Sequence, residues 1–246
     1  MKNAFVFGIN GKMGRALTEN ATSFDYAVTG GFDISPADGP IAVFDDVRNV
    51  NVPFDVIIDF SRPQTLAPII ALAERARAPV VIATTGYNAS ELKSIRMLSE
   101  RVPVLLSGNM SLGIAAAKAA AKTAQAILGD AFDIEIVEKH HNQKVDSPSG
   151  TALLLADALC PRDKQVFARD GKRDHGELGI VSVRGGGVVG EHEIGFYGEN
   201  EILTITHSAR SRALFAAGAY KAADFLCGKP PALYSMDDVV KELISH

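Results

Sequence analysis

The heptapeptide Gly8-Ile9-Asn10-Gly11-Lys12-Met13-Gly14 decides the fold. A short apolar run, residues 4–7, precedes it, and residues 12–20 after it carry helical spacing. The glycines therefore occupy a strand-to-helix turn. In such a turn a residue without Cβ lets the backbone approach a pyrophosphate, and the first N–H groups of the helix point at it. The spacing is G-x-x-G-x-x-G, so context carries the reading. Asp33 closes a second apolar run, residues 28–32, nineteen positions beyond Gly14. An acid there reaches the adenine ribose hydroxyls. Its charge favours the 2′-hydroxyl of NADH and repels a 2′-phosphate, and the next residue is Ile34, not a cation. Lys12 is the only basic residue nearby in sequence, so NADH is the expected cofactor, with NADPH as the alternative. The competing interpretation is a glycine-rich turn that holds no ligand.

Outward from this turn, apolar runs alternate with helical stretches. Strands are expected at 56–59, 80–83 and 102–106. Pro63 opens a helix running to Arg77, as Pro in a first turn does. Asn88 with Glu91 forms a capping-box pattern for a helix ending near Arg101. Such alternation predicts an α/β fold, a Rossmann-like doubly wound parallel sheet covered on both faces. Ligands bind beyond the carboxyl ends of such strands. Ala83-Thr84-Thr85 and Ser107-Gly108-Asn109-Met110 stand at two such ends. Each alone reads as an ordinary loop; together they suit the nicotinamide side of a cofactor site. Asp59-Phe60-Ser61 stands at a third.

After Gly108 the pattern changes. An Ala-rich helix over 111–128 leads to residues 132–138, where Phe132, Ile134, Ile136 and Glu138 alternate with Asp133, Glu135 and Val137. Strands with one wetter face follow at 179–184, 190–197 and 201–207, and helices at 211–226 and 236–244 close the chain. Two domains are expected: a dinucleotide-binding domain over 1–108 and 218–246, and a smaller α+β domain with a mixed or antiparallel sheet over 109–217.

Composition removes other classes. The 246 residues are 47% hydrophobic, and 25 Lys+Arg against 29 Asp+Glu give a formal charge of −4. No basic footprint for nucleic acid is present. No apolar run approaches the roughly 18 residues that span a bilayer, and the N-terminus is too short for a secretory leader. Cys160 and Cys227 lie far apart and match no ligand spacing, so they read as reduced thiols of a cytoplasmic protein.

The densest chemistry is Glu138-Lys139-His140-His141-Asn142-Gln143-Lys144-Val145-Asp146-Ser147-Pro148-Ser149-Gly150-Thr151. His140, His141 and Lys144 bring exchangeable protons and positive charge into one loop. Ser149, Gly150 and Thr151 place N–H groups and a hydroxyl at a helix N-terminus, a seat for a carboxylate. Alternatively the histidines face solvent and Ser149 only caps the helix. Adjacent His140 and His141 rarely point the same way, and no Cys or third His lies nearby, so no metal is expected.

This segment, with its H-H-x-x-K-x-D-x-P-S-G-T-A pattern, resembles the signature of the 4-hydroxy-tetrahydrodipicolinate reductase (dihydrodipicolinate reductase) family. The likeness runs through GINGKMG, GFD, DFS, ATTGY, SGNMSLGI and VRGGGVVGEHEI in order. The resemblance implies that His140 is the acid/base histidine and Lys144 a proton donor. It implies that His141, Gly150 and Thr151 hold substrate carboxylates and that Gly8 to Met13 and Asp33 hold the dinucleotide. The implied reaction belongs to lysine and diaminopimelate biosynthesis. NAD(P)H gives hydride to a C=C conjugated with a ring imine, the enamine is protonated by Lys144 or His140, and water is lost. A small dicarboxylate substrate and a homotetramer built through the second domain's sheet are also implied; because cofactor and substrate sites are expected in different domains, closure about hinges near Gly108 and residues 208–210 is expected. Ala83 stands where the family often has Gly, and Gly108-Asn109-Met110-Ser111 where many members have Ala-Asn-Phe-Ser; both changes are small. The competing functions are a non-catalytic dinucleotide sensor and another imine-reducing two-domain dehydrogenase.

Overall fold

The computed structural model describes residues 1–35, 39–167 and 169–245. The chain divides into two units, Met1–Leu112 with Arg212–His246, and Gly113–Ser211. It starts with β1 (Lys2–Phe7), α1 (Lys12–Asn20), β2 (Tyr26–Phe32), β3 (Ala42–Phe44), β4 (Val56–Asp59), α2 (Leu66–Ala76), β5 (Val80–Ile82), α3 (Ala89–Ser99) and β6 (Val104–Leu106). It continues through α4 (Leu112–Leu128), β7 (Asp133–His140), α5 (Gly150–Leu159), β8 (Gln165–Val166), β9 (Leu178–Arg184), β10 (Glu191–Tyr197) and β11 (Ile202–Ser208). It ends with α6 (Ala213–Leu226), β12 (Leu233–Tyr234) and α7 (Met236–Ile244).

In the first unit the strands form one sheet in the order β12-β6-β5-β4-β1-β2-β3, every neighbouring pair parallel. The continuous apolar strands are buried on both faces, as a helix-covered parallel sheet requires. Phe7 stacks on Phe32 at 5.0 Å and meets Phe5 edge-on at 5.7 Å. Around them Ile57, Ile69, Leu72, Ile82 and Ile95 are fully enclosed. Each such side chain contributes about 1.5–3 kcal/mol by leaving water. The Asn88 side chain accepts the N–H groups of Ser90 and Glu91 at 2.9 and 3.0 Å, and Glu91 accepts the Asn88 N–H at 2.7 Å. That reciprocal cap starts α3. Pro63 opens a 3-10 turn, Pro63–Thr65, before α2, so the helix expected there is split. Arg77 then closes α2 in the left-handed conformation at φ 50°.

The second unit is a mixed sheet in the order β11-β10-β7-β9-β8. β7 runs antiparallel to β10 and parallel to β9. Ile136, Ile180, Ile194 and Phe196 on its inner face pack against Ile114, Ala121, Leu155 and Leu159 of α4 and α5. Further along the strands the same face turns polar. Ser182, Glu138, His192 and His207 stand in one cross-strand row through β9, β7, β10 and β11. The opposite face exposes Val181 and Val183. Among the described residues no helix is long and apolar enough to cross a membrane.

Candidate active site

In the first unit the loops after β1, β2, β4, β5 and β6 gather at the carboxyl edge of the sheet. Gly8 has φ +76°, and a Cβ there would lie 2.7 Å from the Phe60 carbonyl oxygen. A Cβ on Gly14 would lie 2.3 Å from the carbonyl oxygen of Ile9. Both glycines are thus demanded by close main-chain approach. α1 starts at a Gly11 cap without a side-chain hydrogen bond and without an acid in its first turn. Its leading N–H groups are left to an anion, which fits a pyrophosphate. Ile9 tucks its side chain against Gly31, where a Cβ would meet Ile9 Cδ1 at 2.5 Å, so only its backbone can serve a ligand. Lys12 and Gly11 are exposed and Met13 is half-buried.

Asp33 is tied to this turn. One oxygen accepts the Asn10 N–H at 3.1 Å and the other the Ser35 N–H at 3.2 Å, while the Asn10 amide donates to the Ser35 carbonyl at 2.7 Å. A cleft of about 310 Å³ is lined here by Gly8, Asn10, Asp33, Ser35, Ser61 and Arg62, among others. The sequence expectation singled out Lys12 as the nearby cation; the cation lining this cleft is Arg62, from the loop after β4. Linear spacing hides it, since Arg62 comes to this cleft only because β4 lies beside β1.

The neighbouring loops interlock. The Ala83 N–H donates to the Asp59 carbonyl at 2.9 Å, and the Ser107 N–H to the Ile82 carbonyl at 3.0 Å. A Cβ on Gly108 would meet the Thr85 methyl at 3.2 Å. Just ahead of α4 the Asn109 side chain accepts the Ser111 N–H at 2.8 Å, and Met110 is buried. Thr84 is buried as well. Asp59, fully enclosed, accepts the Ser61 N–H at 2.9 Å and the Tyr87 hydroxyl at 3.4 Å. Burial pushes its carboxyl above the usual range, against the pull of the Ser61 bonds.

In the second unit β7 ends at His140. The His140 Nδ1 lies 2.5 Å from Glu138 Oε2, and its Nε2 edge faces Gly190, where a Cβ would stand 3.0 Å away. Arg184 grips Glu138 with both guanidinium nitrogens, at 2.8 and 2.6 Å. Burial alone would raise the Glu138 carboxyl, but Arg184, Ser182, His140 and the Ser149 N–H outweigh it and hold it down to about 2. Ser149 caps α5 by accepting the Ala152 N–H at 3.1 Å, and its hydroxyl meets His192 Nε2 at 3.1 Å. Nothing lies within 4 Å of the Cβ position at Gly150, so the helix start is open there. The His192 ring meets the His140 ring edge-on at 5.2 Å. Burial, then the neighbouring His140, pushes His192 down to about 4. Lys144 pairs with Asp146 at 2.8 Å in the connecting loop. His141 is half-buried at the head of that loop, its carbonyl accepting the Lys144 N–H at 3.2 Å. Among the described residues no group of His, Cys, Asp and Glu is arranged to hold a metal ion.

The second unit therefore joins His140 to the start of α5 through Glu138, Ser149 and His192. Arg184 and His192 did not stand out in the sequence. The one signal was Glu138 itself, an acid in phase with Ile134 and Ile136 on an apolar face, which must find a cationic partner.

A glycine turn on a parallel sheet, an acid at the end of the second strand and a proton-exchanging loop define a nicotinamide-dinucleotide-dependent oxidoreductase. Residues 2–110 match the family description "Dihydrodipicolinate reductase, N-terminus" and residues 113–240 "Dihydrodipicolinate reductase, C-terminus". The chain belongs to the dihydrodipicolinate reductase family. It is 43% identical over 252 residues to the 4-hydroxy-tetrahydrodipicolinate reductase of Caldanaerobacter subterraneus subsp. tengcongensis, covering 98% of this chain and 99% of that protein. The Clostridium tetani enzyme of the same name is 43% identical over 96% of each chain. Among solved structures, dipicolinate-bound dihydrodipicolinate reductase from Paenisporosarcina sp. TG-14 shares the fold, with a TM-score of 0.81 at 24% identity, over 97% of this chain and 99% of that one.

Proposed function

We propose that the chain catalyses the NAD(P)H-dependent reduction of 4-hydroxy-tetrahydrodipicolinate to tetrahydrodipicolinate, with loss of water, in lysine and diaminopimelate biosynthesis. Full-length likeness to curated reductases of that name supports it. The observation that carries it is the Glu138–His140 pair beside the Ser149-capped start of α5, within the segment that gives the family its signature. His140 exchanges a proton at Nε2, the nitrogen that Glu138 does not hold, and Lys144 is the second proton source. His141, Ser149, Gly150 and Thr151 hold the carboxylates of the substrate, a role that the open N-terminus of α5 and the positive loop suit. Dipicolinate, the ligand named for the Paenisporosarcina enzyme, is a dicarboxylate of this kind.

Gly8, Ile9, Asn10, Gly11, Lys12 and Met13 cradle the pyrophosphate, Asp33 takes the adenine ribose, and Ala83, Thr84, Thr85, Ser107, Gly108, Asn109 and Met110 border the nicotinamide. Reduced nicotinamide, when bound, supplies the hydride. NADH is preferred because of Asp33, and Arg62 in the same cleft lets NADPH serve as well. The first unit, residues 1–112 and 212–246, is the dinucleotide domain, and the second, 113–211, the domain for substrate and assembly, each boundary a few residues from the 108/109 and 217/218 expected from sequence. The exposed valine-bearing face of the second sheet suits a cytoplasmic homotetramer. The test follows NADH oxidation with the condensation product of aspartate semialdehyde and pyruvate, set against oxaloacetate plus ammonia. Turnover of the first alone supports the proposal. Turnover of the second alone, or NADH binding with no turnover of either, contradicts it.

A further inference from the structure

We propose that Glu138, clamped by Arg184, is the positioning residue of this site: it fixes the His140 ring and ties it to the anion-binding start of α5. The inference rests on the function proposed above and gives Glu138 and Arg184 a role in it. Donors converge on both Glu138 oxygens, with Ser182 beside them. Oε2 receives His140 Nδ1 at 2.5 Å and Arg184 Nη1 at 2.8 Å; Oε1 receives Arg184 Nη2 at 2.6 Å and the Ser149 N–H at 3.1 Å. The carboxylate is fully enclosed. A carboxylate in that setting persists only when its oxygens are matched by donors, and here they are.

The consequences follow from donor and acceptor chemistry. An ionised Glu138 accepts only, so His140 donates from Nδ1 and presents Nε2 to the site. When His140 takes a proton there, the imidazolium finds its counter-charge already in place, and Glu138 stays ionised throughout. The Ser149 N–H bond puts the same carboxylate in contact with the cap of α5. The Arg184 Nη2 also donates to the Asp146 carbonyl at 2.7 Å, which holds the loop bearing Lys144. One carboxylate thus sets the register of proton source, proton exchanger and anion seat. These groups come from β7, β9 and the loop between β7 and α5.

The groups facing His140 are Glu138 on its own strand, Arg184 on β9, His192 on β10 with His207 beyond it on β11, and Lys144 and Asp146 in the loop. The direct test is the tautomer of the His140 imidazole, read from its ring-nitrogen shifts by NMR in the full-length protein at high pH and assigned with His140→Asn. Wild type shows the Nδ1–H tautomer with a bare Nε2, as a carboxylate acceptor on Nδ1 requires. In Glu138→Gln, whose amide presents a donor as well as an acceptor, that single tautomer is lost. Glu138→Asp keeps an acceptor-only carboxylate and restores it. In Arg184→Gln the unclamped carboxylate moves, and the Nδ1–H proton exchanges faster with solvent. With turnover, kcat of Glu138→Gln falls at least tenfold, while NADH affinity, set by the first unit, stays within twofold. Should Glu138→Gln fail to fold, Arg184→Gln still decides. The wild-type tautomer and Nδ1–H exchange in every folded variant overturn the proposal, even if stability drops. Absence of wild-type turnover would instead remove the proposed function and leave the tautomer result standing.

Discussion

The carboxylate of Asp33 accepts the backbone N–H of Asn10 at 3.1 Å, so the acid that ends β2 is fastened to the glycine turn after β1. In the proposed binding mode, ribose and pyrophosphate are thus met by one mechanical unit, and Arg62 lines the same cleft. Asp33→Asn removes the charge that opposes a 2′-phosphate. The ratio of kcat/KM for NADH over NADPH should fall about tenfold, worth ~1.4 kcal/mol. Arg62→Ala should move the ratio the other way. A ratio unchanged in both variants would show that this cleft does not select the cofactor.

Gly218 of α6 lies so close to Met110 that a Cβ there would stand 1.6 Å from the Met110 carbonyl oxygen. Both sides of that contact are main chain, so no side chain can swing away. Gly218→Ala should destabilise the first unit by about 3 kcal/mol, at the upper end of overpacking effects. Thermal unfolding checks it; an unaltered Tm would contradict the packing described.

Much of this fold was legible. α1 spans the expected residues, and the Asn88–Glu91 box forms as its spacing implies. β3, β8 and β12 escaped because strands of two or three residues carry no periodicity, and they gain meaning only from a neighbour to pair with. The functional loop was legible because its chemistry is contiguous. Its supporting groups were not: Arg184 is 46 residues from Glu138, and His192 is 43 from Ser149. Both are delivered by cross-strand register, which a linear pattern does not encode.

Acid sensitivity follows from two buried groups. Folded His192 takes a proton only near pH 4, whereas the unfolded chain takes it near the ordinary value of 6.5. The unfolded state therefore binds more protons between those values, and stability falls as pH drops through the window. Glu138, held to about 2 against an ordinary 4.5, extends the loss further into acid. Each shift corresponds to about 3 kcal/mol. Denaturant unfolding from pH 7 to 4 should show the first loss, and His192→Gln should flatten it. Equal slopes in both proteins would contradict the assignment.

Gly190 packs against the Nε2 edge of the buried His140 ring, and a Cβ would press on it at 3.0 Å. Gly190→Ala should lower kcat about tenfold with little change in Tm, because the ring must turn or its edge is shielded, and misplacement of this order is expensive in catalysis. A kcat equal to wild type would mean that the Nε2 edge is not the reacting one.

The proposed function puts the chemistry on the loop from His140 to Thr151, and Lys144 tests that most directly. Removing a group that acts in the transition state lowers kcat, whereas removing uniform binding raises KM. Steady-state kinetics of Lys144→Ala with the aspartate semialdehyde–pyruvate condensation product should show kcat reduced at least a hundredfold, in the range of general acid–base contributions, with KM within a few-fold of wild type. A near-normal kcat would take Lys144 out of the reaction and contradict the account.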